Sequence, residues 1–125
     1  MLSACELIAF VSTTDLGRAR AFYEGTLGLP VSDVNPFACV FDARGTMLRV
    51  TLVPAVPSVQ HTVLGWRVSD LAATARSLGE RGVIFERFDG MAQDDLGIWT
   101  TPGGDLVAWF KDPDGNILSL TQFVR

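Results

Sequence analysis

With 125 residues, 48% of them hydrophobic and 19% charged, the chain has the size and composition of one packed domain, which excludes a disordered segment. Its formal net charge of −4 and its lack of a basic stripe exclude nucleic acid as an expected partner. No apolar run approaches the roughly 20 residues of a membrane helix, and no basic-then-apolar leader opens the sequence, so a cytoplasmic protein is expected. Cys5 and Cys39 have no CxxC spacing and lie in or beside apolar runs, which predicts two buried free thiols in a reducing setting.

Residues 6–12 alternate, with Leu7, Ala9 and Val11 on one face and Ile8, Phe10 and Ser12 on the other, as a strand requires. Asp15 then caps a helical pattern of Leu16, Ala19, Phe22, Tyr23, Thr26 and Leu27, which Gly28 stops. A short strand from Val31, a hairpin partner over 37–42, a turn at 43–45 and an alternating strand over 47–53 complete a β-α-β-β-β order. Pro54, Pro57 and polar neighbours mark residues 54–61 as a linker.

The order then repeats. A strand over 61–68 leads to Asp70, which caps a helix carrying Leu71, Thr74, Ala75 and Leu78 and ending at Gly82. Strands are expected over 83–88, 98–100, 105–111 and 116–123, with a loop at 89–97 and a tight turn at Asp112-Pro113-Asp114-Gly115-Asn116. The Asp-Leu pairs at positions 15–16 and 70–71 stand at corresponding points of the two copies. The expected protein is a single α+β domain over 1–125, with one βαβββ module at 6–53, the linker, and a second module at 62–123.

The strand face away from each helix is mixed: Ile8, Phe10, Arg49, Thr51, Val63, Arg67, Ser119 and Thr121. A solvated face would not carry so many apolar groups, whereas the inside of a cup carries both kinds. Two curled mixed sheets with helices outside are therefore expected.

Three segments resemble one family. Asp15-Leu16-Gly17-Arg18-Ala19-Arg20-Ala21-Phe22-Tyr23 is similar to the first-helix signature of the vicinal oxygen chelate superfamily, which includes glyoxalases, bleomycin resistance proteins and extradiol dioxygenases. Leu27-Gly28-Leu29 resembles its helix end, and the run Ala108–Asn116 resembles its last hairpin. The resemblance spans essentially the whole chain and implies the paired βαβββ fold. In the enzymes of the family it implies a divalent metal held by His, Gln and Glu side chains of the cup strands, acting as a Lewis acid.

Carried over by position, the metal-ligand sites fall on Ile8, Val63 and Ser119, with Arg49 and Thr51 at the inward positions of the fourth strand. Ile and Val have no donor atom, Ser is a poor ligand for Zn²⁺, Ni²⁺ or Fe²⁺, and a cationic Arg opposes a dication. No metal and no cofactor are expected. His61, the single histidine, shares the parity of Val63 but reads as an ordinary strand-start residue, and Asp94-Asp95 as solvated loop charge.

Aromatic groups remain abundant. Trp66 has the parity of the helix-packing face, Trp99 follows the 89–97 loop and is placed to close over the cup, and Trp109 is ambiguous. Arg49 and Arg67 have cup-facing parity and could pair with a carboxylate or phosphate. The expected function is that of a metal-free small-molecule binder and homodimer, with ligand contacts at Ile8, Phe10, Arg49, Thr51, Val63, Arg67, Trp99, Trp109 and Ser119. The alternative is an enzyme of the superfamily, metal-dependent through other ligands or using acid–base chemistry.

Overall fold

The computed structural model describes residues 1–124, which fall into two compact units. The first comprises Met1–Ser58 together with the turn Pro113–Asn116; the second comprises Val59–Asp112 and the chain from Ile117 onward.

In the first unit, β1 (Ile8–Thr13) leads through α1 (Leu16–Arg20) to β2 (Val31–Val34), β3 (Ala38–Ala43) and β4 (Thr46–Leu52). The sheet order is β1-β4-β3-β2, with β1 and β4 parallel and the remaining pairs antiparallel. A parallel pair needs a long crossover, and the helix supplies part of it. Asp15 Oδ1 accepts from Arg18 N at 3.0 Å, the predicted cap.

The helix does not stay α to its end. Ala21–Thr26 forms a π-helix, and Leu27 N donates to Phe22 O across five residues at 2.9 Å. The wider turn accommodates adjacent aromatics: Tyr23 is fully buried 5.7 Å from Phe41, and Phe22 meets its edge at 5.2 Å. Beneath them, Val11, Cys39, Phe41, Leu48 and Val50 are buried on one face of the sheet. Each such aliphatic or aromatic side chain contributes about 1.5–3 kcal/mol by leaving water. The β3–β4 hairpin turns on Arg44 (φ 51°) and Gly45 (φ 91°), the two left-handed positions of a tight two-residue turn.

The cysteines divide. Cys39 is buried, and burial pushes its thiol pKa up. Cys5 is exposed, contrary to expectation: it follows the 3₁₀ turn Leu2–Ala4, and β1 begins only at Ile8, so Cys5 belongs to no strand face.

In the second unit, β5 (Thr62–Arg67), α2 (Leu71–Glu80), β6 (Trp99–Thr100), β7 (Leu106–Lys111) and β8 (Ile117–Gln122) follow in order. The sheet order is β5-β8-β7-β6, again with the outer strand β5 parallel to β8. Asp70 Oδ1 accepts from Ala73 N at 3.1 Å and caps α2. Leu71, Ala75 and Leu78 are buried on the helix, as are Ala108, Phe110, Leu118 and Leu120 on the sheet. Trp66 is paired with Leu120 and so belongs to this packing face, as its parity predicts.

The strand expected over 83–88 does not form. One bridge, Phe85 to Phe110, and one bond, Glu86 N to Trp109 O at 2.8 Å, take its place. The backbone beyond is served by a side chain instead of a ladder: Gln93 accepts from Phe88 N at 2.8 Å and donates to Glu86 O and Gly97 O at 2.9 Å. Periodicity cannot reveal such a side-chain substitute for a strand partner.

Candidate ligand-binding site

Strand pairing places Trp109, Ser119 and Gly65 side by side on the open face of the second sheet. Gly65 leaves room for the Ser119 rotamer seen here: a Cβ would lie 2.6 Å from Ser119 Oγ and 3.3 Å from Ser119 O. Trp109 is held from three sides. Its Nε1 donates to Thr62 Oγ1 at 3.1 Å, Phe88 meets it edge to face at 5.4 Å, and Trp99 lies beside it at 6.2 Å with a 32° tilt. Next to it opens a cavity of about 320 Å³ lined by Gln60, His61, Thr62, Phe88, Met91, Trp109 and Ile117.

The wall formed by Phe88 and Met91 belongs to the 89–97 loop and its approach, and polar contacts fix it. Besides Gln93, Arg87 donates to Asp94 O at 2.6 Å and to Asp95 O at 2.9 Å. Asp94 Oδ1 accepts from Leu96 N and Ile98 N, each at 2.9 Å, so this carboxylate folds the loop. A side chain at Gly97 would be strained by the positive φ (87°), and its Cβ would lie 3.0 Å from Phe85 Cβ.

The arrangement offers an aromatic and thioether wall, suited to a flat or apolar ligand surface, beside a short polar rim. Thr62 Oγ1 accepts from the indole, which leaves its own hydrogen for another acceptor. His61 stands in the same rim and is exposed.

Of the residues singled out by sequence, Trp109 lines this cavity and Trp99 touches Trp109. Ser119 is the cross-strand neighbour of Trp109 but does not line the cavity. Val63 sits at a β-bulge, where Thr62 pairs with Ile117 and Leu64 with Leu118, so simple alternation does not set its direction. The Arg67 guanidinium lies 5.0 Å from the Phe123 ring centroid, a cation–π contact.

In the first unit Phe10 pairs with Arg49 and Ser12 with Thr51, and Ile8 pairs with Met47, all on the face opposite the packed one. Phe10 is 61% and Ile8 45% exposed, whereas Arg49 and Thr51 are half-buried. Thr51 Oγ1 donates to Val11 O at 3.4 Å.

Sequence reasoning missed Thr62, Phe88 and Met91. Thr62 reaches Trp109 across 47 positions, through strand register. Phe88 ends the expected strand and Met91 lies in the polar loop that follows, where no periodicity marks an apolar wall.

A model of the Glyoxalase/Bleomycin resistance protein/Dioxygenase superfamily matches residues 7–120 of the chain. No curated protein matches it significantly. Among solved structures, a member of that superfamily from Sphaerobacter thermophilus is similar with a TM-score of 0.75 and 23% identity, over 98% of this chain and 100% of that one. A bleomycin resistance determinant encoded on the transposon Tn5 gives a TM-score of 0.74 at 21% identity, over 96% and 98%. A lactoylglutathione lyase from Agrobacterium tumefaciens gives 0.73 at 17%, over 95% and 93%. At these identities the likeness is one of fold.

Proposed function

Because this chain belongs to the glyoxalase/bleomycin resistance protein/dioxygenase superfamily, we propose that it binds a small molecule without a metal, on the open face of its second sheet. The observation that carries the reading is the aromatic cavity of about 320 Å³ beside Trp109, walled by Phe88 and Met91 and rimmed by Thr62 and His61. That volume lies within the range of small-molecule sites. Trp99 flanks the cavity. Arg67, Val63 and Ser119 complete the proposed contacts of the second unit, and Ile8, Phe10, Arg49 and Thr51 are proposed contacts on the open face of the first sheet.

The donor chemistry supports a metal-free site. Where the resemblance implies metal ligands, the chain has Ile8 and Val63, which carry no donor atom, and Ser119, a poor ligand. Among the described residues no group of three or more His, Cys, Asp and Glu side chains lies close enough to hold an ion. This donor set does not fit a catalytic dication. One relative by fold is a resistance determinant and another a lyase, so fold alone does not choose between binding and turnover. The second reading, acid–base catalysis, is favoured by one observation: His61, whose imidazole is a residue type used as a general acid or base, lines the same cavity.

The test joins metal content with ligand titration. Elemental analysis and titration with Zn²⁺, Ni²⁺, Mn²⁺ and Fe²⁺ should show no binding at micromolar metal, meaning affinity weaker than about −8 kcal/mol. Bleomycin, chosen for the likeness to the resistance determinant, should quench tryptophan fluorescence. Trp109→Ala should weaken that binding by about 1–3 kcal/mol, roughly five- to 150-fold. One tight metal equivalent per chain, or equal affinity in the variant, would overturn the reading. The proposed protein is also a homodimer and cytoplasmic.

A further inference from the structure

A second cavity, of about 360 Å³, lies in the first unit where β1 and β4 begin and β3 ends. Its lining combines exposed apolar side chains with two carboxylates. Leu7 is 74%, Ile8 45% and Met47 42% exposed, and Glu6 and Asp42 stand among them. No Lys, Arg or His lines it.

The two carboxylates are not consumed by the fold. Glu6 has no ion pair or side-chain hydrogen bond among the described residues. Asp42 Oδ1 accepts from Gly45 N at 2.7 Å, which fixes the hairpin turn and leaves Oδ2 free of any partner among them. Burial of apolar surface and neutralisation of negative charge are the two gains that this cavity offers a ligand. Water satisfies the carboxylates but not Leu7, Ile8 and Met47; a metal ion satisfies the carboxylates and leaves the apolar wall wet.

We propose that this cavity is a separate site for an amphipathic organic amine, with its ammonium between Glu6 and Asp42 and its hydrocarbon body on Leu7, Ile8 and Met47. At roughly 30 Å³ per water-sized group the space suits a body of about twelve heavy atoms. It shares no lining residue with the aromatic cavity of the second unit, and Ile8 is the one proposed contact of the first sheet that also lines it.

The experiment is an amide-resolved NMR titration of the full chain with three probes of one shape: n-octylamine, n-octanol and octanoate. Octylamine should move the amides of Leu7, Ile8, Gly45 and Met47. It should bind about five- to tenfold more tightly than octanol, the effect of two exposed carboxylates, with octanoate weaker still. In the double variant Glu6→Gln/Asp42→Asn the amine and the alcohol should bind alike, because the new amide at position 42 keeps an oxygen for Gly45 N while the charge is gone. Should that double variant unfold, Glu6→Gln alone, at a position without a bonding partner, should reduce the preference by about half on a logarithmic scale, and salt should reduce it further. Equal affinity of amine and alcohol for the unaltered chain would overturn the proposal, as would a preference that survives charge removal. Shifts confined to Thr62 and Trp109 would also overturn it, while leaving the aromatic site standing.

Discussion

Asp114 shows how much one side chain of a turn can carry. It accepts from Thr13 Oγ1, from Thr14 N at 3.0 Å, from Thr14 Oγ1 at 2.8 Å and from Arg18 Nη2 at 2.9 Å, with its side chain 3% exposed. Burial pushes its carboxyl pKa up, but the hydroxyl and amide donors of Thr13 and Thr14 and the Arg18 guanidinium outweigh it, and the group is held below the ordinary carboxylate value. A depressed folded-state pKa contributes stability that is present above about pH 4, the unfolded value, and is lost as pH falls through the folded one. Asp114→Asn should therefore lower stability at pH 7 by roughly 1–3 kcal/mol. It should also flatten the acid limb of a urea-unfolding series below about pH 4. Sequence identified this residue as a turn former; its four donors come from residues about a hundred positions away and could not be read from spacing.

At the scale of elements, the segment from 83 to 98 decides the shape of the candidate site. Its sequence alternates enough to suggest a strand, yet Gln93 and Arg87 bind the backbone that a strand partner would have bound. Replacing Gln93 with Ala removes three hydrogen bonds of about 1 kcal/mol each. Hydrogen exchange at Phe88 and Met91 should then quicken more than about tenfold, with little change at α2 or β8. A ligand bound beside Trp109 as proposed should lose affinity with it, because the cavity wall loses its support. By contrast, both helix caps were readable, since Asp before an apolar periodic run has one local meaning. The π-helix at Ala21–Thr26 was not readable, because it answers to the burial of Tyr23 against Phe41, a contact between elements.

At the scale of the whole molecule, the proposed homodimer has a candidate edge. β2 ends the first sheet, with Val34 51% and Phe37 76% exposed along and beside it. Exposed apolar side chains beside this edge invite a second copy, whereas Asp33 and the register shift before it blunt strand-to-strand pairing. Light scattering should give twice the mass of one chain, and Phe37→Asp should shift it toward one. No helix among the described residues is long and apolar enough to cross a membrane.

The sequence by itself determined the α+β class, the two βαβββ-like orders, the caps and the family, because these depend on local periodicity, turn chemistry and short motifs. It also put Ile8, Val63 and Ser119 where the resemblance implies metal ligands, and Ile and Val carry no donor atom. Tertiary structure alone decided that Trp109 is clamped by Thr62 and Phe88 and that the register of β5 on β8 shifts at Val63. It alone placed Glu6 and Asp42 around one apolar cavity. Those facts depend on strand register and on where backbone groups find partners, and both are settled by contacts between residues far apart in the chain.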